Sequence, residues 1–255
     1  MSIIYSEIES KRFGLRVYRG QYKDFDTSDV ESIIKKDNFD IIIVRYPTAT
    51  LYEHFRLVGY ENCITIHADS LVYYVAPLQE IDIKPLRNNL RFEVVTSESD
   101  KCLDALVETI FSGYQNHYYA NPCLQRKAIT DGYIEWAKSY ARCENGKIAW
   151  MAKDGLSGDV VAFATCFNNA DESECEGILY GVMPEFSGRG IYADLIRFTQ
   201  GYFKSIGMEK MKVSTQLQNY KVQKVWNSHG FKLDKSFETY HIINHSIWES
   251  HRYEL

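Results

Sequence analysis

VMPEFSGRGIYADLIRF runs from Val182 to Phe198. A strand pattern, EGILYGVM, leads into it and stops at Pro184. Gly188 and Gly190 then flank Arg189, and a helical pattern follows from Ile191 to Ile206, closed by Gly207. A strand-to-helix turn of this kind leaves backbone N–H groups pointing outward. The first amides of the helix have no internal acceptors and sit at the positive end of its dipole. Glycines remove the Cβ atoms that would keep a ligand away. Such a turn suits a phosphate or pyrophosphate, and Arg189 adds a forked cationic donor. A tight turn serving only the chain reversal is the alternative reading. A Walker loop needs a Lys-Ser/Thr pair that is missing here. A dinucleotide fingerprint needs an early βαβ unit, whereas this turn follows three consecutive strands.

Those strands read as KIAWMAKD, DVVAFATCFN and EGILYGVM. GLSG between the first two is a hairpin signal. The acidic segment NADESECE, Asn169 to Glu176, lacks calcium-loop spacing and reads as a solvated loop. Upstream, LRFEVVT reads as a strand. SESDKCLDALVETIFSGY reads as a helix capped by Ser97 or Ser99, with Leu103, Leu106, Val107, Ile110 and Phe111 on one face. QRKAITDGYIEWAKSYA is a second helix, with Ile129, Tyr133, Trp136, Ala137 and Tyr140 on one face and Glu135 off it. Downstream come a strand KMKVSTQL, a short helix NYKVQKVWNSHG closed by Gly230, and one or two strands in FKLDKSFETYHIIN. From residue 90 the order is β-α-α-β-β-β-loop-α-β-α-β.

The first part of the chain reads as a smaller α/β unit. SDVESIIKKDN is a helix capped by Ser28, FDIIIVRYP a buried strand, TLYEHFRLVGY a helix closed by Gly59, and SLVYYVAPL a strand. The polar, Pro-containing QEIDIKPLRNN places a boundary near residue 88, giving domains 1–88 and 89–255. A strand–helix–strand echo links Phe55–Gly59 to Trp226–Gly230; it reads either as a chance recurrence of a common unit or as a first domain that is a truncated copy of the second.

Composition narrows the function classes. The chain has 255 residues and a net charge of -5, with no basic stripe for nucleic acid. No apolar run spans a bilayer and the N-terminus has no signal-peptide core, so a cytoplasmic protein without membrane or nucleic-acid partners is expected. The six cysteines form no CxxC pair or zinc spacing, which reads as free thiols and no metal.

The segment from Gly177 to Ile196, with the downstream strand and NYKVQKVWNSHGF, resembles the GNAT superfamily of acyl-CoA-dependent N-acyltransferases. The resemblance covers roughly residues 91–245. It implies an α/β (α+β) fold with a mixed, largely antiparallel central sheet flanked by helices. It rests on V-x-P at Val182, Met183 and Pro184, on the loop Ser187, Gly188, Arg189, Gly190, Ile191 and Tyr192, and on Asn219, Trp226, Gly230 and Phe231. Ser187 and Tyr192 depart from the family's Gln/Arg and small residue.

The resemblance implies that the loop grips the pyrophosphate of acyl-CoA and that backbone groups near Gly181 and Val182 hold pantetheine. One amide there would polarise the thioester carbonyl. Asn219 would touch pantetheine, although it also suits the N-cap of its helix. The family's proton donor to the leaving thiolate falls on Trp226, an indole, which makes Tyr220 the candidate acid. The acceptor side falls on NHYYANP, with His117 as base and Tyr118, Tyr119 and Asn121 as substrate contacts. A packed aromatic connector is the alternative there, and capping of a helix end is the reading for His229. The expected substrate is a small-molecule amine, most specifically the amino group of a dTDP-linked amino-dideoxy sugar of bacterial surface polysaccharide. A homodimer is compatible with this reading. The alternatives are a peptide, polyamine or antibiotic amine, or a non-catalytic module that binds acyl-CoA.

Overall fold

A computed structural model describes residues 3–96 and 99–251. The chain forms two compact units that interleave along the sequence rather than dividing once near residue 88. The first takes residues 1–72, 115–129 and 235–255; the second takes 73–114 and 130–234.

The first unit is built from β1 (Ile4–Tyr5), α1 (Glu7–Phe13), β2 (Val17–Gln21), α2 (Ser28–Lys36), β3 (Ile41–Pro47), residues 63–72 of β4 (Cys63–Pro77), and β10 (Lys232–Asn244) from residue 235. α7 (His245–His251) follows it. Its strand order is β1-β2-β3-β10-β4. β2 lies parallel to β3, and β10 antiparallel to it, with Arg45 opposite Thr239. β3 is an unbroken apolar run, IIIV, because both of its faces are covered. Ile42, Val44, Tyr46, Tyr240 and Ile242 face one core with Val30, Phe39 and Leu57.

Two local readings are corrected here. Thr27, not Ser28, precedes the first turn of α2. TLYEHFRLVGY is a 3-10 helix over Thr48–Leu57, interrupted at Thr50, not an α-helix ending at Gly59. Its buried residues, His54 and Leu57, are three apart, which matches three residues per turn. Of the one or two strands read in the last segment, the structure has one, β10.

The second unit holds β5 (Leu90–Val94), α3 (Asp100–Phe111), α4 (Arg126–Ala141) from residue 130, β6 (Lys147–Asp154), β7 (Val160–Asn169), β8 (Glu174–Val182), α5 (Ile191–Ser205), β9 (Lys210–Gln216) and α6 (Tyr220–Ser228). β5 to β8 form an antiparallel meander, and α5 carries the chain over to β9, which runs parallel to β8. Residues 73–77 of β4 lie next to β9 in the strand order. Strand alternation sends Met151, Phe163 and Leu179 to the face covered by α3 and α4. It sends Ala152, Ala162 and Ala164 to the face covered by Ile191 and Leu195 of α5. Ser99 stands at the start of α3; Ser97, the other cap candidate, lies outside the described residues. The mixed, largely antiparallel sheet flanked by helices is the expected fold class.

Candidate functional site

The site of the second unit begins with a strand pair that separates. β8 and β9 stay in register only from Glu174↔Lys210 to Gly177↔Val213. Beyond Gly177 they have no further partners, although β8 continues to Val182 and β9 to Gln216. On its other edge β8 carries a bulge: Gly177 faces Cys166 and Leu179 faces Thr165, which leaves Ile178 as the extra residue. Leu179 N–H donates to Thr165 Oγ1 at 3.0 Å, so a side chain stands in for the displaced ladder.

After the bulge, Met183 N–H donates to Val161 O at 2.9 Å, and Val182 faces Ala162. Antiparallel pairing alternates, so the backbone groups of Tyr180 and Val182 point away from β7. They point to the edge from which β9 has parted. Gly181 lies on the β7 side of this alternation, and its glycine has a packing cause. A Cβ there would come within 2.8 Å of Ile110 Cγ2 and Phe163 Cε1. Of the two positions expected to hold pantetheine, Val182 presents its backbone to the open edge and Gly181 does not.

The turn itself is a 3-10 segment, Pro184–Phe186, followed by Ser187 in an extended conformation. Gly188 and Gly190 both adopt left-handed φ, 80° and 83°, which other residues reach only with strain. Among the described residues, nothing lies within 4 Å of the Cβ that Gly188 lacks. Asp194 N–H to Gly190 O is the first bond of α5, so the amides of Ile191, Tyr192 and Ala193 have no acceptor within the helix. Ser187, Gly188, Arg189 and Gly190 are exposed. Arg189 folds back on the turn: its guanidinium donates to Glu185 O at 3.0 Å and lies 4.9 Å from the Phe186 ring centre.

A latch that the sequence did not announce holds this turn. Asp194 is fully buried in the first turn of α5. Its carboxylate accepts the backbone N–H groups of Arg87 and Asn88 at 3.0 and 2.8 Å and pairs with Arg197. The Asn88 side-chain amide donates both to Asp194 and to Arg189 O in the loop. Burial raises the Asp194 pKa, but these donors outweigh it and hold the carboxyl below its ordinary range. The nearest sequence signal is an acidic residue in a first helical turn.

The α6 residues divide. Asn219 precedes the helix but makes no capping bond; its Nδ2 donates to Thr215 Oγ1 at 3.0 Å. Tyr220 is 63% exposed. Trp226 is buried against Tyr74 and Phe231. Among the described residues, its indole N–H meets no acceptor in hydrogen-bonding geometry. Tyr192 is half-buried beside Tyr180. Burial pushes its phenol well above its ordinary range, while the nearby Trp226 indole acts in the opposite direction. At the end of β9, Gln216 Oε1 accepts the Tyr114 hydroxyl at 2.5 Å. His229 caps its helix through Nδ1–H to Val225 O, and burial lowers its pKa, so it does so neutral and not as a cation.

The expected acceptor residues belong to the first unit, where they form a packed polar layer. His117 lies in a 3-10 turn, His117–Ala120, capped by the Asn116 side chain. His117 Nδ1 meets His241 Nε2 at 2.9 Å, and His241 Nδ1 meets Asn121 Nδ2 at 3.0 Å. Burial, then Arg45, drives His117 well below its ordinary pKa; burial, then Arg19 and Arg45, takes His241 to about 3. Tyr118 bonds Glu9, which also pairs with Arg19 at 2.9 Å. Tyr119 is half-buried, with the Arg126 guanidinium 4.5 Å from its ring centre. His117 and Asn121 are thus sealed and internally bonded. This is the packed connector rather than an accessible base.

Among the described residues, no group of three His, Cys, Asp or Glu is placed to hold a metal, and no helix is long and apolar enough to cross a membrane.

Known proteins agree with this geometry. Residues 111–231 match the model of the acetyltransferase (GNAT) family. The chain is similar to the spore coat polysaccharide biosynthesis protein SpsD of Bacillus subtilis (strain 168), at 23% identity over 215 residues, 83% of this chain and 69% of that protein. It has the fold of a GCN5-related N-acetyltransferase from Sphaerobacter thermophilus, at TM-score 0.60 and 10% identity, over 94% of this chain and 74% of that one. A similar structure is the GCN5-related glucosamine N-acetyltransferase region of a fungal multi-domain GH3 β-N-acetylglucosaminidase. There the TM-score is 0.60 and identity 12%, over 94% of this chain and 30% of that one.

Proposed function

Residues 111–231 belong to the acetyltransferase (GNAT) family, and from that premise we propose that the chain moves an acyl group from acyl-CoA to the nitrogen of a primary amine. The observation that carries the reading is the parting of β8 from β9 beside the glycine turn. The residues fit acyl-CoA. The amides of Ile191, Tyr192 and Ala193, with the bare Cα of Gly188, suit a pyrophosphate. The outward backbone of Tyr180 and Val182 suits the amides of a pantetheine arm, which would add to the open edge as a strand does. A donor on that edge, aimed at a thioester oxygen, stabilises the charge that develops there and commonly lowers the barrier by about 3 kcal/mol.

The acceptor we propose is an amino sugar, in its most specific form a dTDP-linked amino-dideoxy sugar. Support comes from two similar proteins, a spore coat polysaccharide biosynthesis protein and a glucosamine N-acetyltransferase region. The base that takes the amine's proton is not His117, which burial removes from solvent. Tyr220 is accessible enough to serve as proton donor, and Trp226 is not an acid.

The test is thiol release from acetyl-CoA, followed with a thiol-reactive dye, across glucosamine, dTDP-4-amino-4,6-dideoxyglucose, putrescine and a lysine peptide. Release with an amino sugar and little with the others is the expected result. Gly188→Val should raise the KM for acetyl-CoA at least tenfold, about 1.4 kcal/mol. No release with any amine, together with CoA binding that Gly188→Val weakens, would instead support a non-catalytic binding module. An indole at Trp226, which cannot give up its proton as an acid, favours that second reading.

A further inference from the structure

We infer that the outer edge of β5 docks a second copy of this chain, the two β5 strands pairing antiparallel about a two-fold axis at Phe92. This pairing involves the second unit alone and needs no step of the acyl-transfer reading.

β5 ends the strand order beyond β6, with no further strand alongside it among the described residues. Two bonds at its ends show which way its backbone faces. Gly155 N–H donates to Asn89 O at 2.7 Å, and Val95 N–H donates to Ala149 O at 2.9 Å. Antiparallel pairing alternates, so Arg91 and Glu93 turn their backbone groups to β6, while Leu90, Phe92 and Val94 turn theirs to the open edge. Leu90 N–H is taken up locally by Asn88 O. The N–H and C=O groups of Phe92 and Val94, with the C=O of Leu90, stay on the edge. Val94 is 46% exposed, and Arg91 and Glu93 are exposed beside it. Such an edge is a template for another strand.

Charged side chains on an edge strand usually discourage pairing. Here their order favours pairing with a second copy, and in one register. Outward-facing residues must meet outward-facing residues, so the two-fold axis passes through a residue and not between two. An axis at Arg91 or Glu93 sets that residue against its own copy, like charge on like. An axis at Phe92 sets Arg91 opposite Glu93 of the second copy, twice, at the non-hydrogen-bonded positions where side chains lie closest. Phe92 N–H then donates to Phe92 O of the second copy, and Val94 N–H to its Leu90 O, each bond made twice. Arg91 also has no carboxylate partner among the described residues of its own chain. It stands opposite Lys153, and its guanidinium donates to Gly155 O at 3.0 Å. The neighbouring Glu93 is held by Lys153 at 2.6 Å. Two cations thus share one carboxylate, and the second copy brings Arg91 another. A strand of five residues buries little area, which fits a weak, concentration-dependent dimer and not an obligate one.

Sedimentation of the full chain across roughly 1–200 µM reads the association. Wild type should pass from monomer to dimer as concentration rises. Arg91→Glu sets a carboxylate against Glu93 of the second copy, and Glu93→Arg sets a guanidinium against its Arg91. Each variant alone should associate at least about tenfold more weakly than wild type. An equimolar mixture of the two should dimerise, because unlike charges then face each other at both positions. Val94→Pro deletes an edge N–H that β6 does not use, and should weaken the dimer while leaving the thermal melt of the monomer cooperative. A wild type that stays monomeric overturns the inference. So does a dimer that any of the three variants forms at wild-type strength, or a mixture of the charge variants that associates no better than either alone.

Discussion

Glu238 shows how much a single buried side chain can do for the first unit. Burial would raise its pKa, but the bonds from His67, Ser70 and Thr48 prevail and hold it at about 2, against an ordinary 4.5. A depressed carboxyl contributes stability that is complete above its ordinary value and is lost as pH falls toward the folded one. His67 moves the other way. Its bond to Glu238 raises its pKa, so its contribution is complete below its ordinary 6.5 and is lost as pH rises through the raised value. The pair is therefore strongest between those two ordinary values. Urea unfolding across pH should show an acid limb that Glu238→Gln flattens by roughly 3 kcal/mol. An unchanged limb would show that the carboxylate is not paired in solution. Legibility at this scale follows backbone strain. Gly188 and Gly190 were readable because left-handed φ leaves a mark in the residue type. Asn88 and Asp194 were not readable, because their roles depend on partners distant in sequence. His117 misled because a histidine near tyrosines has the same spelling whether it is sealed or accessible.

Among the elements, β8 does the most. Its bulge at Ile178 and its early separation from β9 turn the backbone of Tyr180 and Val182 toward an open edge. Gly181 fixes the strand against α3. Gly181→Ala should force Ile110 and Phe163 aside, cost about 1–3 kcal/mol, and be partly rescued by Ile110→Ala, which removes the crowding Cγ2 and Cδ1. Additive losses in a double-mutant cycle would show that the two residues do not touch. The strands of the second unit were legible because short apolar runs between turn signals have few other readings. β1, α1 and β2 were not. α1 is seven residues long, too short for a helical period to stand out, and β2, VYRGQ, carries an arginine and a glycine in place of an alternating pattern. The bulge and the separation left no mark that periodicity detects, since a one-residue slip keeps the composition unchanged.

Taken whole, the molecule is threaded more than it is partitioned. The first unit takes residues from three stretches of sequence, and β4 contributes to both units. Fragments 1–88 and 89–255, produced separately, should each lack a cooperative thermal transition, and mixing them should restore one. A sharp transition in isolated 1–88 would show that the first domain stands alone. The boundary near residue 88 was drawn from a polar, Pro-containing linker, a local cue that says nothing about where later segments return. That return has a consequence during synthesis. β10 lies between β3 and β4 in the first unit's strand order, so the sheet has an unfilled lane until residue 244 has left the ribosome. Until then the apolar edge of Ile41, Ile42, Ile43 and Val44 awaits its partner for most of the chain's emergence. A chain stalled late in translation therefore exposes an unpaired apolar strand edge of the kind suited to aggregation.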